Sequence, residues 1–263
     1  MGLIEKKDGR ILTRKRRSIR KKFWYFLRVF LIVIFFLGLL YGVNYFYNSS
    51  YFKINSIIVN SNSHYSDEEI LEHASELMGM NIFEIDKKGI EEKLIENLFW
   101  LKGVKLDKVF PNEVIFEVIE RKPYITISYR SNYYLLDNEG VILEELVKDE
   151  LDYYKNLILV RNAIGYKAEA GEKVAKKSVL SCGEIYLTLD SEIKNEIEEA
   201  WIDDNYSGDI IFKTIEGKKI IFGNSKDIIQ KNEILKQILK QLSKEDNNYY
   251  IIDLRNIENP IIK

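Results

Sequence analysis

One uninterrupted apolar run, Phe23–Tyr47, sets the strongest limit on how this chain can fold. No charged residue occurs between Arg28 and Lys53, so residues 29–52 are uncharged. The hydrocarbon core of a bilayer is about 30 Å thick and requires about 20 apolar residues as a helix, which this run provides. Aromatic and basic side chains typical of membrane interfaces occur near its two ends. We therefore predict a single transmembrane helix over residues 23–47, with interface anchors at Trp24, Tyr25, Arg28, Tyr41 and Tyr45.

Charge is distributed unevenly on the two sides of this run. Residues 1–22 contain ten Lys or Arg and two Asp or Glu, a net charge of +8; the whole chain has a net charge of −2, which leaves −10 for the rest. Short segments rich in Lys and Arg remain in the cytoplasm. We therefore expect a cytoplasmic basic tail over residues 1–22 in contact with anionic membrane lipid, and an extracytoplasmic part over residues 48–263.

Three other interpretations of the N-terminal region are less favoured. A cleaved signal peptide has a shorter apolar stretch followed by a small-x-small site, and the nearest candidates here are Ser49 and Ser50. A buried core helix fits poorly with a long uncharged run beside a basic cluster. Nucleic-acid binding by the tail is disfavoured because the tail adjoins the span directly, and we expect no nucleic-acid partner.

Cysteine content excludes two further classes of protein. Cys182 is the single cysteine, so no disulfide framework and no cysteine-based metal site can form. This suits a bacterial surface protein that does not depend on disulfides. The residues that follow the span are numerous enough for one large or two small domains.

Residues 51–122 show the element order β-α-α-β-β. The first strand falls within residues 52–60, and Ser66 and Glu69 form a capping box ahead of a helix with Ile70 and Leu71 on its apolar face. A second helix with Leu94 on its apolar face follows, and we expect Ile70, Leu71 and Leu94 to fill one core. Strands are then predicted over residues 100–109 and 114–120, joined by a turn at 110–113.

Residues 123–263 read as a mainly antiparallel β domain with flanking helices. Helices are predicted over about 174–189 and 228–242, and a short helical turn over 193–201. A closing strand at 249–255 and an extended segment after it end this region. The other predicted strands are residues 124–129, 133–136, 141–143, 157–160, 209–214 and 218–222.

Motifs for catalysis or metal binding are weak. Ser191 and Lys194 match S-x-x-K, but the S-D-N and K-T-G partners of that chemistry are missing from the sequence, and Ser191 suits a helix cap. His64 and His73 lack metal-ligand spacing, and Cys182 falls in a predicted helix as a small apolar residue. The tyrosine-rich strand at 124–134 suits either sugar stacking or ordinary strand packing. We expect no catalytic residue, no metal and no cofactor.

The order of these features resembles the FtsQ/DivIB family of bacterial cell-division proteins, whose extracytoplasmic module has the POTRA fold. The resemblance extends over nearly the whole chain, and each motif is weak by itself. It rests on residues 52–70, 100–104, 110–112, 118–123, 136–141, 165–174 and 252–255. At residues 60–62 the chain has Asn-Ser-Asn where the family often has a Gly-Asn turn.

The resemblance implies a non-enzymatic, single-pass type II membrane protein of the plasma membrane at the division septum. Such a scaffold recruits and regulates septal peptidoglycan synthesis. The implied partners are bitopic division proteins resembling FtsL and FtsB (also called DivIC), together with the septal peptidoglycan synthase. Two alternatives remain at this stage: a POTRA-type chaperone or translocation module, and an enzyme that acts on the cell wall.

We predict that the partner surface lies at the C-terminal end. A final strand often lies at a sheet edge, and Pro260 suits an edge because it cannot donate to a ladder. The resemblance also points to strand addition beside the closing strands. The charge of Arg255 suits an added contact with an acidic partner residue. A competing interpretation is that Tyr250, Ile252 and Leu254 pack inward. The predicted partner-binding residues are Tyr250, Ile252, Leu254, Arg255, Asn256, Ile257 and Ile261.

Overall fold

The computed structural model describes residues 5–174, 176–203, 208–245 and 249–263, with residues 5–21 as backbone only. Helix α1 comprises Glu5–Tyr47 and contains the predicted span. Within α1, Lys22–Tyr47 is long and apolar enough to cross a membrane, and its most apolar stretch has no buried residues. The predicted anchors Trp24, Tyr25, Arg28, Tyr41 and Tyr45 are all exposed. One N-terminal apolar helix is consistent with a single-pass membrane anchor.

The chain divides into two compact units. Unit 1 comprises Met1–Ile58, Ser75–Ile85 and Asp107–Ile115, and unit 2 comprises Val59–Ala74, Asp86–Leu106 and Phe116–Lys263. The boundaries predicted from sequence, at residues 22, 47, 51 and 122, stay predictions.

The first elements after α1 have the predicted order β-α-α-β-β. They form a three-stranded sheet in the order β1-β3-β2. Ser66 caps α2 as predicted: its hydroxyl accepts from the Glu69 N–H, and the Glu69 carboxylate accepts from the Ser66 N–H. Ile70 and Leu94 are fully buried, whereas Leu71, also expected in the core, is half-buried. The elements are β1 (Ser56–Asn60), α2 (Asp67–His73), α3 (Lys87–Asn97), β2 (Leu101–Val109) and β3 (Glu113–Glu120).

A nine-stranded sheet in unit 2 follows, in the order β12-β11-β10-β9-β8-β7-β4-β5-β6. The pairs β4–β7, β7–β8 and β10–β11 are parallel and the other pairs are antiparallel, so the sheet is mixed but mainly antiparallel as predicted. The strands are β4 (Ile125–Tyr129), β5 (Asn132–Leu136), β6 (Ile142–Leu146), β7 (Leu159–Arg161), β8 (Ile197–Asp203), β9 (Asp209–Thr214), β10 (Lys219–Gly223), β11 (Ile251–Asp253) and β12 (Ile261–Ile262).

Apolar side chains cover the two faces of this sheet unequally. On β5, Tyr134 and Leu136 belong to a large core that also includes residues of α4 (Lys177–Thr188) and Leu235 of α6 (Ile228–Glu245). Tyr133 and Leu135 alternate with them and therefore face the opposite side, where they pack with Trp100 in a smaller cluster. The large core spans β4 to β11, whereas the smaller cluster is confined to the β4–β7 end of the sheet.

The helical turn predicted over residues 193–201 is wrong in its second half. Helix α5 (Ser191–Glu196) ends where β8 begins, at Ile197. Glu198 and Trp201 are exposed, whereas Ala200 and Ile202 are buried. Pairing with β7 on one side and β9 on the other outweighs the helix propensity of the two glutamates, since strand formation depends on these distant partners.

Candidate functional site

The C-terminal end of the sheet has a two-residue outer strand. Sequence reasoning placed the segment 249–255 at the edge, but β12 covers β11, with Ile252 opposite Ile262 and Asp253 opposite Ile261. The Lys263 N–H donates to the Ile251 carbonyl at 3.0 Å, and the Ile251 N–H donates back at 3.0 Å. The chain therefore folds back on its closing strand, and β12 is the edge.

The outer side of β12 presents backbone groups to solvent. In an antiparallel ladder, alternate residues direct both backbone groups towards the partner strand. Because Lys263 directs its N–H and C=O at β11, the N–H and C=O of Ile262 face outward. Pro260 has no N–H, so it contributes only an acceptor. The Ile261 and Ile262 side chains are 48% and 45% exposed.

The predicted partner-binding residues divide into exposed and buried groups. Ile252 and Leu254 are fully buried in the large core, so their side chains pack inward as the competing interpretation held. Tyr250 is 75% exposed, although the same interpretation expected it to pack inward. Asn256 is exposed and accepts a hydrogen bond from the Glu258 N–H at 3.1 Å, which closes a tight turn, and Ile257 is half-buried. Tyr250, Asn256 and Ile261 therefore remain accessible.

Arg255 forms ion pairs within the protein. Its Nε and Nη2 atoms donate to the Asp253 carboxylate at 3.0 and 2.6 Å, and Nη1 donates to Asp209 Oδ2 at 3.3 Å. The hydrogen bonds from Arg255 hold the pKa of Asp253 below its usual range. Gly223 adopts a φ of +77°, and a Cβ there would lie 2.9 Å from Arg255 Cγ, so glycine lets the arginine stem pack over β10. Arg255 thus links β9, β10 and β11.

An open row of side chains crosses the sheet to the same edge, and sequence reasoning did not find it. Trp201 lies opposite Ile211, Ile211 opposite Ile221, Ile221 opposite Asp253, and Asp253 opposite Ile261. Residues directly opposite each other share a face of the sheet. Trp201 and Ile261 are exposed, and the three between them are half-buried. We call Trp201, Ile211, Ile221, Asp253 and Ile261 the open row.

Polar groups hold the Trp201 end of the open row. The Trp201 Nε1–H donates to Glu199 Oε1 at 3.0 Å, Lys213 Nζ lies 3.2 Å from the same oxygen, and Arg161 pairs with Oε2. Burial acts to raise the pKa of Glu199, but these hydrogen bonds outweigh it and leave the pKa below its ordinary value. A depression of about 500 Å³, lined in part by Trp201, Ile211 and Lys213, opens beside this cluster.

Residues considered for chemistry have structural contacts instead. Lys194 Nζ donates to the Leu187 carbonyl at 2.7 Å, and Asp190, not Ser191, occupies the cap position of α5. His64 stacks on Trp100 with ring centroids 3.6 Å apart, and Cys182 is buried. In the part of the chain that the structure describes, no cluster of three His, Cys, Asp or Glu side chains could hold a metal ion.

Comparison with known proteins identifies two successive regions. Residues 52–121 match the family described as "POTRA domain, FtsQ-type", and residues 126–255 match "Cell division protein FtsQ/DivIB, C-terminal". These matches define a bacterial cell-division protein with an FtsQ-type POTRA domain. The chain belongs to the FtsQ/DivIB family, whose members are non-enzymatic components of the division machinery. The resemblance seen in the sequence is thereby confirmed, as is the division function.

Individual relatives are distant. Cell division protein FtsQ of Geotalea daltonii is 27% identical over 82% of this chain and 77% of its own length. FtsQ of Corynebacterium glutamicum is 22% identical over 72% of this chain and 79% of its own length. FtsQ of Syntrophotalea carbinolica is 33% identical over only 40% of this chain and 37% of its own length. The solved extracytoplasmic domain of DivIB from Geobacillus stearothermophilus aligns over 49% of this chain and 98% of its own with a TM-score of 0.28 at 14% identity, too low to support an argument.

Proposed function

We propose that this protein is a bitopic scaffold of the division septum, with its basic tail in the cytoplasm and its two folded regions outside the plasma membrane. The +8 charge of residues 1–22 beside one apolar helix supports this orientation. In this role it recruits and regulates septal peptidoglycan synthesis by binding other division membrane proteins. Its partners are bitopic proteins resembling FtsB/DivIC and FtsL, and through them the septal peptidoglycan synthase.

The observation that carries the partner proposal is the outward-facing backbone of Ile262 on the edge strand. An extended partner segment adds to β12, accepts from the Ile262 N–H and donates to its carbonyl. The opposite edge of the sheet is less open: the Ile142 N–H on β6 donates to the Glu172 carbonyl at 2.9 Å, and the Gly171 N–H donates to the Ile142 carbonyl at 2.8 Å. The β12 edge is therefore the better template for strand addition.

The open row supplies side-chain contact for the same partner. A two-residue strand offers few backbone hydrogen bonds, so pairing alone gives little affinity or selectivity. The exposed indole of Trp201, with Ile211 and Ile221 beside it, leads across the sheet to Ile261. Residues of the partner next to its added strand pack on this row, because aromatic anchors dominate the energetics of interfaces.

The experiment replaces Ile262 in two ways in the full-length chain. Ile262→Pro removes the outward N–H while leaving the hydrogen bonds of Lys263 to β11, and Ile262→Val keeps the N–H and an apolar β-branched side chain. After expression in bacterial membranes, co-purification of a protein resembling FtsB/DivIC is measured. Ile262→Pro should lose most of the capture, and Ile262→Val should retain it.

Two further measurements make the result decisive. Equal melting temperatures for both variants show that the rest of the fold is intact, and unchanged hydrogen-exchange protection of the Ile251 N–H, which donates to the Lys263 carbonyl, shows that β12 remains paired. Full capture by Ile262→Pro would place the interface away from β12, most plausibly on the three-stranded module. Arg255→Glu is not a suitable test of partner binding. It would bring a third carboxylate next to Asp253 and Asp209 and so destabilise β11, and a loss of capture could then result from altered folding.

A further inference from the structure

Unit 1 contains a chain of touching aromatic rings that begins in the last turn of α1. Phe46 contacts Phe52, and Tyr47 stacks on Phe83 with ring centroids 5.4 Å apart and planes inclined by 20°. Phe52 joins the two branches by contacting Phe83 at 5.0 Å. The chain continues outward, because Tyr51 contacts Phe52 at 5.3 Å and Phe110 contacts Phe83 at 5.4 Å. We call these residues the aromatic cluster: Phe46, Tyr47, Tyr51, Phe52, Phe83 and Phe110.

Hydrogen bonds fix the aromatic cluster to the end of the apolar helix. Asn81 Nδ2 donates to the Tyr47 carbonyl at 2.6 Å, and the Ile82 N–H donates to the Phe52 carbonyl at 2.9 Å. The Phe83 N–H donates in turn to Asn81 Oδ1 at 3.0 Å. These contacts lie within one compact unit, so Phe83 holds a defined position beside the last helical residue.

Most of this aromatic surface is exposed. Phe52 is buried, but Phe110 is 58% exposed, and Phe46, Tyr47, Tyr51 and Phe83 are exposed as well. Five neighbouring exposed aromatic rings form an apolar patch that water solvates poorly, and such patches mark interaction sites. Ordinary packing at the joint between helix and domain would bury these rings, so packing does not explain the patch.

The length of α1 places the aromatic cluster at the membrane surface. Lys22–Tyr47 contains 26 residues and is about 39 Å long as a helix. A bilayer measures about 30 Å across its hydrocarbon core and about 40–45 Å with its headgroup regions. A helix with its first residue in one headgroup layer therefore reaches the opposite layer at Tyr47. Phe83 contacts that residue directly and Phe110 is one ring farther, which is the zone that aromatic side chains prefer.

We propose that the aromatic cluster inserts into the outer headgroup layer of the membrane that α1 crosses, and holds unit 1 against the lipid surface. The occupant is lipid because the patch is continuous with the lipid-facing helix. The charged side chains near the aromatic cluster suit a headgroup layer that carries both positive and negative groups. Lys53 is exposed and can reach phosphate groups, and Glu84, next to Phe83, is exposed as well. Unit 1 is then held at a fixed tilt to the membrane instead of hanging from a flexible tether.

The test measures the depth of one side chain in full-length protein, reconstituted at one chain per nanodisc. A bimane fluorophore is attached to Phe110→Cys, and the matched control carries it on Ile58→Cys, an apolar position of the same unit that is 40% exposed and outside the aromatic cluster. The native Cys182 is fully buried, and burial raises the pKa of its thiol, so it does not compete for the label. Tyr51→Cys provides a second position in the cluster.

The expected result is lipid contact at both cluster positions. Lipids with a nitroxide near the glycerol backbone should quench the Phe110 and Tyr51 probes more than lipids labelled near the chain methyl. Aqueous iodide should quench these probes several-fold less than the Ile58 probe. Melting temperatures check that labelling leaves the fold intact.

Two results would overturn the proposal. Iodide quenching at Phe110 equal to that at Ile58 would show that the cluster lies in water when no protein partner is present, as expected for a protein-binding patch. Lipid quenching of equal strength at Ile58 would show that unit 1 lies on the membrane through some other surface. Loss of partner capture in the Ile262 experiment bears on neither result, so the two proposals fail separately.

Discussion

Gly183 lies in the middle of α4, and its replacement by alanine combines two opposing effects. In an exposed helix, Gly→Ala stabilises the protein by about 1 kcal/mol, because alanine loses less backbone freedom on folding. In this protein α4 packs directly on β4. An alanine Cβ at position 183 would lie 2.5 Å from Tyr124 Cε1 and 2.6 Å from Ile125 Cγ2. Cβ atoms do not approach other atoms so closely, so the helix or the strand would have to move.

The neighbours of Gly183 determine which effect is larger. Ile125 is fully buried, and the Tyr124 hydroxyl donates to the carbonyl of Leu180, a residue of α4, at 3.3 Å. Neither side chain can move without losing packing. Overpacking a core costs about 1–3 kcal/mol, which exceeds the gain in helix propensity. We therefore expect Gly183→Ala to destabilise the protein by about 1–2 kcal/mol and to lower its melting temperature by roughly 2–8 °C.

Unfolding of the full-length chain in mild detergent, followed by circular dichroism against urea and temperature, measures this effect. Gly165→Ala is the matched control, since a Cβ there would meet no atom within 4 Å. The control should stay within about 0.5 kcal/mol of the natural protein. A melting temperature for Gly183→Ala equal to or above that of the natural protein would refute the close packing of α4 on β4.

Two further substitutions test the three-stranded module. Leu94→Ala should cost about 2–5 kcal/mol in the same assay, because Leu94 is fully buried; an unchanged melting temperature would contradict that burial. Glu120 accepts hydrogen bonds from the Ser63 hydroxyl at 2.6 Å and the His64 N–H at 2.9 Å. Burial acts to raise the pKa of Glu120, but the hydrogen bonds outweigh it and leave the pKa below its ordinary value. The stabilisation is therefore complete above the unfolded pKa of about 4.3 and is lost as the pH falls through the folded pKa. Glu120→Gln should cost about 1 kcal/mol at neutral pH, since partial exposure weakens the effect, and the difference should shrink below about pH 4; a difference independent of pH would contradict the role of the charge.

Features that depend on neighbouring residues could be predicted from the sequence. The apolar run is a local property, and so is the capping box of Ser66 and Glu69. The β4–β5 hairpin and the β9–β10 hairpin follow from short alternating runs separated by turns. For these elements the physical cause lies within about ten residues of chain, so the sequence alone contains it.

Features that depend on distant partners could not be predicted. β7 lies between β4 and β8, which come from well-separated parts of the chain, and the predicted helical turn became β8 because of that arrangement. The open row exists only once five strands are in register. Arg255 was expected to be available for a partner, but Asp209, far away in sequence, takes part of its hydrogen-bonding capacity. The burial of Ile252 and Leu254 could be predicted, because the two residues alternate along the strand and so share a face. The pairing of β12 with β11 could not, because no nearby sequence pattern indicates it.

The shortness of β12 has a consequence for how selectivity would arise at this edge. A long open edge pairs with any extended segment, including a second copy of the same chain. Here Ile262 presents one outward N–H, and the residue two positions before it is Pro260, which cannot donate. Backbone pairing alone is thus too weak to hold an unselected segment. In the proposed interface, a cognate partner also fills the depression beside Trp201 and matches the apolar residues Ile211 and Ile221. On this reasoning the edge sets the register of the partner strand, and the open row selects which partner binds.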